Sequence, residues 1–156
     1  MTLSGAPAVV DRWAVEAVEA AVAADDSRLA LAMARAQTLD GGHLRRLLSG
    51  LLRPVLEDLH PDGVDGDDLA DLLDETVRET AWAADVDPLA LAVVLTGAFG
   101  VVVATREELP HPVTDLQLAR HAVLLLGRVL STRPGVRLRP YLDRAWSEIA
   151  REDAQD

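Results

Sequence analysis

Residues 88–105, PLALAVVLTGAFGVVVAT, are eighteen consecutive positions without a charge, bounded by Asp87 and Arg106. A stretch this apolar is stable only when the rest of the chain or lipid encloses it. Asp87-Pro88 reads as a helix start: the Asp side chain accepts from a free backbone N–H, and Pro at the first helical position has no N–H to leave unpaired. Ala92, Thr96, Gly100 and Ala104 recur every four residues and predict a row of small side chains that lets another backbone approach. Leu91, Leu95, Phe99 and Val102 supply bulk on the neighbouring face. The run is short for a membrane span, contains Gly97 and Gly100, and has no aromatic or basic anchor at its N-terminal side. It therefore predicts a buried central helix over about residues 88–104.

The rest of the chain carries the same periodicity. Apolar residues recur at spacings of three and four, and the β-branched alternation of strands is absent. Helices are expected over about residues 7–24, 26–37, 43–59, 67–84, 114–130 and 140–151, besides the central one. Pro54 lies inside the third and predicts a kink after Gly50, or two shorter helices. Residues 60–66, HPDGVDG, read as a loop. Thr114 with Gln117 three positions later reads as a capping box. No internal repeat or long linker divides the sequence, so residues 1–156 are expected to form one all-α, compact bundle of about seven helices. Its ends should fray at about residues 1–6 and 152–156.

Composition removes several chemistries. The 156 residues include no Cys, and all fifteen basic residues are Arg. Thiol nucleophiles, thiolate metal sites, disulfides, Schiff-base lysines and a phosphate-loop lysine are thereby excluded. A formal charge of -11 argues against nucleic acid and anionic membrane as partners. The opening MTLSGAPAVVDRW lacks the basic and apolar segments of a secretory signal, so the expected compartment is the cytoplasm.

Asp67-Asp68-Leu69-Ala70-Asp71 resembles the DDxxD motif of terpene synthases and prenyltransferases, whose carboxylates hold Mg²⁺ ions bound to a diphosphate. Asp67 and Asp71 are four apart and would share one helix face. Those families are much longer and carry a second metal motif, for which this sequence offers only Asp143 and Ser147 followed by Arg151. Acids in a first helical turn also complement the helix dipole without any metal. Asp62, Asp65, Asp67 and Asp68 fit no register of a calcium-binding loop. His43, His60, His111 and His121 have no partners at ligand spacing, and a helical wheel places His121 with Gln117, Arg120 and Arg128, exposed. No serine lies in a nucleophile-elbow context. No catalytic residue and no cofactor other than Mg²⁺ is suggested.

Trp82 is more unusual. On a helix over residues 67–84 it projects with Asp71, Glu75 and Arg78, opposite the leucines, as an interface anchor or a residue covered by another segment. Trp146 falls on an apolar stripe and Trp13 at a stripe edge. Charge is segregated: residues 57–75 hold nine acids and no Arg, whereas residues 120–144 hold six arginines against Asp143 alone. The two segments either pair within one molecule or present Arg128, Arg137 and Arg139 to a carboxylate-bearing partner. The first functional expectation is therefore a non-enzymatic adaptor or regulator that meets a protein partner or forms a homodimer through Trp82, Asp71, Glu75, Arg78 and the Arg-rich third. The second is a small Mg²⁺-dependent enzyme or phosphate-ligand binder using Asp67, Asp68 and Asp71. The third is a helical sensor of an apolar small ligand, seated beside Ala92, Thr96 and Gly100.

Overall fold

The structure, a computed structural model, describes residues 3–101 and 108–156, and among these it contains seven α-helices and no strand. They are α1 (Ala6–Val22), α2 (Asp26–Ala36), α3 (Gly41–Leu59), α4 (Gly66–Glu79), α5 (Pro88–Ala98), α6 (Asp115–Ser131) and α7 (Arg139–Gln155). The cap signals read at Asp87 and Thr114 operate, and Asp25 and Asp40 cap α2 and α3 in the same way. Asp25, Asp40 and Asp87 accept from Arg28, His43 and Leu89 N–H, and Thr114 with Gln117 closes a capping box.

α3 runs unbroken through Pro54, so the alternative of two shorter helices does not hold. Gly50 serves packing there: a Cβ on it would lie 3.3 Å from the Ala145 Cβ, so α7 crosses α3 closely at that point. α7 extends to Gln155, beyond the expected residue 151. Its last turns are tied to α3 by Arg46, which donates to Ile149 O, Glu152 and Asp153 at 3.3, 3.1 and 2.9 Å.

The central helix is α6, not the apolar run. Val123, Leu124, Leu125 and Leu126 are all essentially inaccessible, and α6 packs on α1, α3 and α5. Gly127 makes this possible, since a Cβ there would collide with the Ala21 Cβ and come within 3.0 Å of the Ala21 carbonyl carbon. α5 ends at Ala98. Gly100 adopts φ 74, its N–H donates to Gly97 O at 3.1 Å, and Val101 N–H donates to Thr96 O at 3.0 Å, the paired bonds of a Schellman stop. Of α5 only Ala90, Leu91 and Leu95 are buried, and its other faces remain partly open. Val102 and Ala104 lie outside the described residues. Among those described, no helix is long and apolar enough to cross a membrane.

α4 stops at Glu79, short of the expected residue 84. Thr80 caps it by donating both N–H and hydroxyl to Thr76 O, and Asp85 takes a left-handed φ of 54. Residues 80–87 then cross to α5 as a connector, anchored where Arg120 of α6 donates to Ala84 O at 2.5 Å.

The first and last helices meet through a buried polar cluster. Asp11 of α1, 7% exposed, accepts from Arg139 and from the Trp146 indole N–H. Trp13, also buried, donates its indole N–H to Ala32 O at 2.7 Å and joins α1 to α2. Both indoles are thus core residues with their polar atom satisfied.

Candidate functional site

The three acids of the DDxxD-like stretch lie in the first turns of α4. Asp68 is a capping residue, accepting from Asp65 N–H at 3.0 Å while Asp65 accepts from Asp68 N–H at 2.9 Å. Asp67 and Asp71 are exposed, and among the described residues no group of three or more His, Asp or Glu is placed to hold a metal ion.

The residues singled out for interaction are dispersed. Trp82 lies beyond the end of α4, so the wheel that put it on the polar face does not apply, and its half-buried ring packs against the core in the connector. Glu75 of α4 meets Arg128 of α6 at 3.8 Å, with Asp71 beside them, at a polar hollow of about 440 Å³. The acidic and arginine-rich segments thus touch within one molecule. Arg139 is engaged by Asp11 and Asp143. Arg78 and Arg137 are exposed and form no ion pair among the described residues.

A different feature emerges between α2, α3, α5 and α6, where a cleft of about 380 Å³ opens. Its space has a sequence cause. Ala36 of α2, Gly97 and Ala98 of α5, and Ala119 and Ala122 of α6 are small residues on three walls, and the leucines of α3, Leu44, Leu48 and Leu52, do not fill the gap. Val93, Val94 and Leu116 extend the apolar lining. The cleft follows positions 93, 94, 97 and 98 of α5 rather than the row Ala92, Thr96 and Gly100, whose Thr96 hydroxyl turns back to Ala92 O at 2.7 Å. Polar groups sit in its lining too: Gln37, Arg45, Ser49 and Asp115. Arg45 is exposed and has no hydrogen-bond or ion-pair partner among the described residues, whereas its neighbour Arg46 is held more basic than usual by its hydrogen bonds to Asp153 and Glu152.

At the opposite end of α5, the structure corrects the position of His121. It is 3% exposed, not solvated. A wheel of α6 alone contains no information about the connector that covers this face. His121 Nε2 accepts the Asp87 N–H at 2.9 Å, and its Nδ1 lies 2.6 Å from Gln117 O. Burial first of all pushes the imidazole below its ordinary value, the Gln117 carbonyl opposes this and the Arg120 charge reinforces it. The Asp87 carboxylate meanwhile receives His111 Nε2 at 2.6 Å and Leu89 N–H at 3.0 Å. Burial acts to raise this carboxyl, but those two hydrogen bonds and the His111 charge outweigh it and hold it below the usual carboxylate range.

No protein family, curated protein or solved structure matches the chain. The cleft and the His121 cluster both depend on contacts between segments distant in sequence. The only local signal for the cleft is the recurrence of Ala and Gly on α5 and α6, which reads equally as close helix packing.

Proposed function

We propose that the protein is a non-enzymatic binder of a small monoanionic amphiphile, such as a medium-chain carboxylate, with the tail in the cleft between α3, α5 and α6 and the head at Arg45. The observation that carries this reading is the apolar cleft of about 380 Å³ walled by Gly97, Ala98, Ala119 and Ala122. A volume of about 300–1,000 Å³, mostly apolar with a few polar groups, is the usual form of a small-molecule site. Arg45, without an ion-pair partner among the described residues, supplies a cation for the head, and Ser49, one turn further along α3, adds a hydroxyl. No histidine stands among the cleft-lining residues to activate that hydroxyl, which favours binding over catalysis.

The adaptor or homodimer reading retains less support, because Trp82 packs inward and Glu75, Arg128 and Arg139 find partners within the same chain. Calorimetric titration with decanoate tests the ligand reading. Gly97→Leu projects into the cleft from a position where an added Cβ meets nothing within 4 Å. The expected result is saturable binding to the native chain, weakened at least about tenfold by Gly97→Leu, which corresponds to ~1.4 kcal/mol. Absence of saturable binding, or binding indifferent to Gly97→Leu, refutes the reading.

A further inference from the structure

His121 is held by partners that permit only one protonation state. The Gln117 carbonyl can only accept, so Nδ1 carries the proton, and the Asp87 backbone N–H can only donate, so Nε2 must be bare. A second proton at Nε2 would set two donors against each other inside a site that is 3% exposed. No rotation of the ring within this geometry removes the conflict, because both nitrogens of an imidazolium donate.

The contact broken in that event is a structural tie. Asp87 is the cap of α5, and its N–H is one of the points at which the connector from α4 joins α6, beside the Arg120 bonds to Ala84 and Asp85. α5 in turn provides one wall of the cleft through Val93, Val94, Gly97 and Ala98. We infer that His121 is a proton-operated latch: its protonation releases residues 80–87 and the N-terminal end of α5 from α6, and thereby loosens the cleft wall. The first half stands on the His121 geometry alone, and the second rests on the ligand-binding reading above.

The charged groups around the latch act in both directions. Arg120 of α6, which donates to the Ala84 and Asp85 carbonyls, opposes a charge on His121 and reinforces closure of the connector. Asp87 favours the imidazolium, but its carboxylate is already engaged by His111 and the Leu89 N–H. Asp85 of the connector and Asp26 of α2 line the same hollow of about 300 Å³ and add negative potential. Protonation of exposed His111 strengthens its pair with Asp87 and so resists release. The latch therefore opens through the backbone bond to His121, while the side chain of Asp87 pulls the other way.

The test reads the latch and the cleft separately. Hydrogen exchange at the Asp87 amide, corrected for the intrinsic rate, is followed by NMR from about pH 5 to about pH 8, the range in which an imidazole changes charge. The opening constant is expected to rise by up to about tenfold per unit as pH falls from the ordinary imidazole value toward the lower pH at which the His121 ring protons titrate in the folded chain, and not to rise in His121→Gln. Opening that is independent of pH in the native chain overturns the latch, as does the same pH dependence in His121→Gln. Should that variant not fold, a native opening constant that begins to rise only below the pH at which the His121 ring protons titrate overturns it equally. Decanoate affinity is measured at the same pH values. Affinity that falls as the latch opens supports the coupling, and constant affinity with an opening latch removes it. Failure of decanoate to bind at any pH removes the cleft reading and leaves the latch to be judged by exchange alone.

Discussion

Arg139 at the start of α7 grips Asp11 of α1 with two hydrogen bonds, 3.0 and 2.8 Å long, between positions 128 apart in sequence. The pair is lopsided. Asp11 is 7% exposed and also accepts the Trp146 indole N–H at 2.8 Å, whereas the Arg139 side chain is half exposed. Water can replace Asp11 as a partner for Arg139, but it cannot readily reach the Trp146 N–H.

Removing the two partners should therefore have unequal effects. Asp11→Ala orphans a buried indole donor and is expected to cost about 1–3 kcal/mol. Arg139→Ala removes a half-exposed cation, for which a loss below about 1 kcal/mol is expected. Urea denaturation of the two variants checks this, and equal losses would contradict the assignment of Asp11 as the organising member.

Acidification should act on stability through His121. Its folded value lies below the ordinary 6.5, so between the two values the unfolded chain binds the extra proton and the folded chain does not. Stability is thus complete above the ordinary value and declines as pH falls beneath it, with a slope of at most about 1.4 kcal/mol per pH unit from this one group. Asp87, held below its ordinary 3.8, adds a loss of stability only at lower pH, as its carboxylate is protonated. Denaturation midpoints measured above and below the imidazole range should separate in the native chain and draw together in His121→Gln. Identical pH profiles for the two proteins would exclude His121 as the source.

What the sequence made legible were the local signals. Asp87 and Thr114 mark helix starts because a cap needs only a side-chain oxygen and a backbone N–H two or three positions on. The seven helices follow from these caps and from apolar spacing. What escaped depends on coverage by distant segments. His121 looks solvated on the wheel of α6, yet the connector contacts it from 34 positions away. Trp82 looks like an interface anchor only if α4 is carried past Thr80. The apolar run reads as the molecule's centre because uniform hydropathy does not say how many faces are covered, and the apolar stripe of α6 does not show that its middle is enclosed on all sides. The cleft has four contributing helices, and no window of sequence contains them all.

Two glycines at the C-terminal end of α5, Gly97 inside it and Gly100 just past it, should respond to the same substitution with opposite sign. Gly97 lies within the helix, and a Cβ there meets nothing within 4 Å. Gly97→Ala therefore gains helix propensity without a steric penalty and should stabilise the chain by up to about 1 kcal/mol. Gly100 terminates the helix at φ 74, also with open space around it, so the obstacle to a side chain is its backbone conformation alone. Gly100→Ala places a Cβ in the left-handed region at a cost of about 1–2 kcal/mol. Thermal denaturation of the two variants should move the midpoint up for Gly97→Ala and down for Gly100→Ala. A stabilising Gly100→Ala would mean that α5 continues past Ala98 in solution, and the cleft wall that depends on its ending there would have to be redrawn.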